Sequence, residues 1–144
     1  MRDLRLSHSS RRLRASAVSL LFLLVATAVL AQGPQDWLKR ILDPSSIGVT
    51  PPDGAVMNRK LTVDYLSKTD PPAQMAIYVV PLDQMAAVSE HFEKTLGVKP
   101  ESTGSGEFEI RRFNVPAKGL EIVCTRSQFV DNKLQITMTY VPKK

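Results

Sequence analysis

Imidazole and thiol groups are the side chains best suited to act as base or nucleophile near neutral pH, and the 144-residue chain has few: His8, His91 and Cys124. His91 falls in a helical pattern, about 100° round from the apolar stripe and beside Glu90, Glu93 and Lys94. A general base needs the proton it takes within about 3 Å, and no local residue supplies a nucleophile. Cys124 alternates in step with Leu120 and Ile122, the pattern of a small buried apolar residue. A small hydrolase or thiol enzyme built on His91 or Cys124 is therefore the alternative, and a non-enzymatic binding module the primary expectation.

Other chemistries lack their residues. One cysteine and one histidine beyond the first 31 positions cannot complete a zinc site of the nitrogen and sulfur type. Glu107 and Glu109 share a strand face, but no calcium-loop spacing surrounds them. Gly104-Ser105-Gly106 precedes a strand rather than a helix and matches no phosphate-loop pattern. No cofactor is expected. Arg111, Arg112, Arg126 and Lys118, with Phe113 and Tyr140, hint at a single-strand nucleic-acid platform. Arg111 and Arg112 point to opposite strand faces, however, and edge-strand charges discourage unwanted pairing. Nucleic acid is not an expected partner.

The distribution of charge explains the basic character. The formal net charge is +5 and the pI about 9.6. Arg2, Arg5, Arg11, Arg12 and Arg14 against Asp3 place +4 of it in residues 1–31, leaving 5 − 4 = +1 for residues 32–144. A cationic stretch, an apolar run from Ala15 to Leu30 and the small-residue end Val29-Leu30-Ala31 form a secretory signal peptide with cleavage before Gln32. Ser10-Arg11-Arg12 resembles the twin-arginine export signal, but Arg14 stands where that pattern wants an apolar residue, which favours the general secretory route. The expected location is periplasmic or secreted. A membrane enters only if the segment stays uncleaved, since Ala15 to Ala31 reaches the lower length limit for a span; the chain would then be a tethered accessory subunit. A single cysteine permits no internal disulfide, which favours a bacterial origin over a eukaryotic secreted one.

The elements that must position these residues read as an α+β domain. Gln35 to Leu42 has the spacing of a short helix, and Asp43 to Asn58, rich in Pro and Gly, reads as a linker, so the compact domain is expected over 59–144. Leu61, Val63 and Tyr65 alternate as a first strand or a helical turn, and Met75 to Val80 is a β-favouring run. A helix follows with Asp83 as cap, Met85, Val88, Phe92 and Leu96 on one stripe, and Gly97 as terminator. Three strands come next: 107–115, 120–129 and 133–141. The order ββαβββ predicts a five-stranded antiparallel sheet with one helix on one face.

Pairing Val115 with Leu120 and Phe129 with Leu134 puts Phe108, Ile110, Val123, Phe129, Leu134, Ile136, Met138 and Tyr140 under that helix. The same register places Glu109 opposite Arg126, and Arg111 opposite Cys124, on the other face. Phe113, Val115, Leu120, Ile122, Cys124 and Val141 then form an apolar outer patch. Such patches mark interaction sites, so these six residues are the expected surface for a protein partner or self-association. The competing occupant is the chain's own Trp37 and Ile41.

Overall fold

A computed structural model describes residues 34–144. The signal peptide expected over 1–31, its cleavage site and His8 lie outside the described residues. The described chain runs α1 (Pro34–Leu38), β1 (Val56–Met57), α2 (Arg59–Leu66), β2 (Gln74–Pro81), α3 (Met85–Leu96), β3 (Glu101–Thr103), β4 (Ile110–Val115), β5 (Leu120–Arg126) and β6 (Lys133–Tyr140). The strands form one antiparallel six-stranded sheet in the order β1-β2-β6-β5-β4-β3. The fold class is α+β, as expected, with an extra strand at each edge.

β6 lies at the centre, paired to β2 along its whole length and to β5. Its Leu134, Ile136 and Met138 alternate with Gln135, Thr137 and Thr139, so one face is apolar and the other polar. The apolar face continues through Ala76, Tyr78 and Val80 of β2, Leu120, Ile122 and Cys124 of β5, and Phe113 of β4. α3 closes over it with Val88 and Phe92, and the Phe92 and Phe113 rings meet at 5.7 Å between centroids. The periodic stripe that predicts α3 is thus the stripe it buries. Gly97 ends the helix at φ 68°, a left-handed conformation that favours glycine, and its N–H donates to the Glu93 carbonyl. Asp83 does not cap α3; it sits in a 3-10 turn, Leu82–Gln84, that leads into the helix.

On the opposite face, α2 lies over β2. Here Leu61 and Leu66 of α2 pack on Met75 and Ile77, joined by Trp37, Ile41, Tyr65 and Val130. Asn58 caps α2 by accepting a hydrogen bond from the Leu61 N–H at 3.0 Å. Leu61, Tyr65 and Leu66 recur at i, i+4 and i+5, so of the two readings open for this stretch the helical one holds. The strand is corrected to a helix because the Asn58 cap and this spacing both favour one.

The segment before residue 59 also proves to be part of the domain, and the helix expected over Gln35 to Leu42 ends at Leu38. Ile41 bridges Met75, the Leu42 N–H donates to the Met75 carbonyl at 2.8 Å, and the Met75 N–H donates to the Arg40 carbonyl at 3.0 Å. Leu42 and Val49 are buried in the α3 cluster. Residues 37–144 therefore form one compact unit, where the sequence placed the start of the domain at 59. Trp37 and Ile41 do cover a sheet face, but it is the β2 face under α2.

Candidate functional site

The apolar patch expected on the outside is interior. Phe113, Leu120, Ile122 and Cys124 have essentially no exposure, Val115 is half-buried against the same cluster, and Val141 alone is substantially exposed. The cause is a register difference. Val115 does pair with Leu120, and Arg111 with Cys124, but β5 ends at Arg126, which pairs with Leu134 in place of Phe129. That shift of three residues, an odd number, turns Leu134, Ile136 and Met138 onto the face of Ile122 and Cys124. Both apolar sets fall on one side and α3 covers them together. Of the set expected under the helix, Phe108 and Phe129 are exposed instead, and Ile110 lies at the margin of exposure.

The two chemically versatile side chains are committed to packing. The His91 ring Nε2 lies 2.6 Å from the Thr50 carbonyl, the geometry of an N–H donor tying α3 to the 43–58 segment. Its edge meets the Phe92 ring, with centroids 5.2 Å apart. Cys124 is fully buried. Burial pushes its thiol up to about 12, and the nearby Arg111 offsets this only in part. A thiol so protonated at neutral pH makes a poor nucleophile. Among the described residues, no group of three or more His, Cys, Asp or Glu side chains could hold a metal ion. No helix among them is long and apolar enough to cross a membrane.

What the fold does build is a cleft at the end of the α3-covered face. It has a volume of about 150 Å³ and is lined by Leu82, Met85, Gly106, Glu107, Glu109 and Arg126. Three elements converge there. Leu82 and Met85 come from the 3-10 turn and first residue of α3, and Arg126 is the last residue of β5. Gly106, Glu107 and Glu109 come from the turn between β3 and β4, which starts at Gly104. There a φ of 76° and the close approach of the Phe108 carbonyl leave no room for a side chain. The Leu82 N–H donates to the Asn132 carbonyl at 3.2 Å, fixing this corner to the loop before β6.

The polar rim of the cleft carries balanced charge. Arg126 donates through Nη1 to Glu107 Oε2 across 19 positions of chain, and Arg111 donates through Nε to Glu109 Oε1 at 2.7 Å. The sequence register expected Glu109 opposite Arg126; Glu109, in the turn before β4, instead turns to Arg111, and Glu107 of the same turn takes Arg126. The Arg111 pair is about three-quarters buried on both sides, so its attraction is less screened than that of the open Arg126 pair. None of the six lining residues was an expected site residue, and Leu82 and Met85 least of all. Their place beside Glu107 depends on a contact between distant segments, and no local pattern signals it.

A small α+β domain with a charge-balanced cleft at one end of its sheet is the class that fold and site define. Comparison with known proteins adds no relative: no family model, no curated protein and no solved structure matches the chain.

Proposed function

We propose that this chain is an exported, non-enzymatic binding module of the periplasm or extracellular space, and that it binds its ligand in the cleft between Met85, Glu107 and Arg126. The cleft is the observation that carries the reading: Leu82 and Met85 together with Glu107, Glu109 and Arg126 line about 150 Å³ of space, an apolar and polar lining of the kind that larger small-molecule sites use. The non-enzymatic part is supported by the settings of His91 and Cys124, one held by the Thr50 carbonyl and the other sealed under α3. Export rests on the leader, with +4 of the charge and an apolar run built around Leu20 to Val25 ahead of Gln32.

Two experiments test the proposal. Mass spectrometry of the chain recovered from the extracytoplasmic fraction should give residues 32–144; a cytoplasmic chain retaining residues 1–31 contradicts export. The cleft is tested by amide-shift mapping on nitrogen-15-labelled residues 32–144 with small charged organic solutes. Shifts confined to Leu82, Met85, the 106–109 turn and Arg126 support it, whereas no shift there contradicts it.

A further inference from the structure

We infer that the end of the sheet opposite the cleft docks on an anionic lipid bilayer, whatever the cleft itself binds. The strand register sorts the connecting segments to two ends. Pro81, Lys133 and Arg126 lie at one end, where β2 and β5 finish and β6 begins; Gln74, Tyr140, Leu120 and Val115 lie at the other. At the first end, segments 82–84, 104–109 and 127–132 carry Asp83, Glu107, Glu109 and Asp131, and the adjoining Arg111, Arg126 and Lys133 offset most of that charge. At the second, segments 67–73, 116–119 and 141–144 carry Lys68, Lys118, Lys143 and Lys144 against Asp70 alone. Glu121, one residue into β5, is turned to Arg112 at 3.9 Å. The positive excess here is larger than the net charge of +1 of residues 32–144, so the domain is polar in charge, with one basic pole.

The lysines of that pole are exposed and uncommitted. Lys118, Lys143 and Lys144 have no ion-pair partner among the described residues. They are also held together, because the Val141 N–H donates to the Gly119 carbonyl at 2.9 Å and so fixes the turn that carries Lys118 beside the segment that carries Lys143 and Lys144. Apolar surface lies between them: Val141 is 44% exposed, and Pro116 and Ala117 are exposed next to Lys118. All three cations are lysines, point charges on flexible stems without the fork with which arginine grips one fixed anion. Such a set suits a plane of mobile anionic headgroups. Val141 and Ala117 can enter the boundary between headgroups and acyl chains while the lysine stems let their ammonium groups reach the phosphates. β5 is 7 residues long, which puts the cleft about 20 Å from this end and turned away from the bilayer.

The test sediments residues 32–144 with vesicles of equal parts phosphatidylglycerol and phosphatidylcholine and with vesicles of phosphatidylcholine alone, and passes the same chain over immobilised heparin. Binding is expected to the mixed vesicles and not to phosphatidylcholine, and it should fall as salt is raised. A lysine near an anionic surface is worth about fivefold in affinity, so Lys118→Gln, Lys143→Gln and Lys144→Gln together, checked for a native spectrum, should weaken binding about a hundredfold. Lys60→Gln, Lys94→Gln and Lys99→Gln together change the net charge equally but lie elsewhere, and should keep most of the binding. No sedimentation with the mixed vesicles, equal sedimentation with phosphatidylcholine alone, or equal losses in the two triple variants overturns the inference. Retention on heparin without binding to vesicles assigns the basic pole to a soluble polyanion and overturns it as well.

Discussion

Two single residues carry more of the account than their positions in the sequence announce. Arg40, in a stretch that reads as a short helix outside the domain, is half-buried and donates to the Leu66 and Thr69 carbonyls at 2.7 and 2.8 Å, with the Ala73 carbonyl at 3.5 Å. It thereby holds the C-terminal end of α2 and the following turn. Replacing it by methionine keeps the stem and removes the charge-assisted bonds, so Arg40→Met should lower stability by about 1.5–3 kcal/mol in urea denaturation. Cys124 gives a pH signature. Its folded pKa is raised above the ordinary 9.0, to about 12, and burial together with Asp43 raises Tyr78 as well. In both cases the folded state holds its proton more tightly than the unfolded one. The associated stability is fully present below about pH 9 and is lost as pH climbs towards 12. The slope from Cys124 is up to about 1.4 kcal/mol per pH unit, and Cys124→Ala should flatten it in denaturation series at rising pH. The burial of Cys124 was legible from its step with Leu120 and Ile122; the direction it faces was not.

At the scale of elements, legibility followed length and redundancy. α3 and β2 have long periodic patterns and clear stops at Gly97 and Pro81, and both are where the sequence puts them. β1 and β3 have two and three residues, too few for a period to show. The decisive miss was the turn before β6. The sequence reads Val130 to Lys133 as a tight link, but Ser127 Oγ accepts from the Phe129 and Val130 N–H groups at 3.2 and 3.1 Å, which ends β5 early and widens the loop. One local hydroxyl contact thus moves the register by three residues and exchanges the faces of the last hairpin. Ile122→Asp tests the outcome. A charge buried among Phe92, Phe113 and Met138 should unfold the domain, seen as loss of cooperative melting; a folded, soluble variant would mean the face is open. A chain beginning at Arg59 loses Leu42, Val49 and the bridge to Met75, and should be unfolded or aggregated by circular dichroism and light scattering, where residues 32–144 are folded.

For the whole molecule, one rearrangement links fold to function. With α3 on one face and α2, Trp37 and Ile41 on part of the other, the apolar surface that invited a partner becomes the core. The proposed site moves to the end of the sheet, where Glu107, Glu109 and Arg126 meet Leu82 and Met85. The cleft was not legible as a site: Glu109 was expected opposite Arg126, but it turns to Arg111 while Arg126 takes Glu107, and Leu82 and Met85 come from a segment more than twenty residues before Glu107. Everything downstream depends on α3 closing over Cys124. The measurement that tests this most directly is thiol labelling of residues 32–144 with a disulfide reagent at mildly alkaline pH. The account predicts no reaction while the chain is folded and one thiol released in denaturant; full, rapid labelling of a chain that keeps its native spectrum would place that face outside and contradict it.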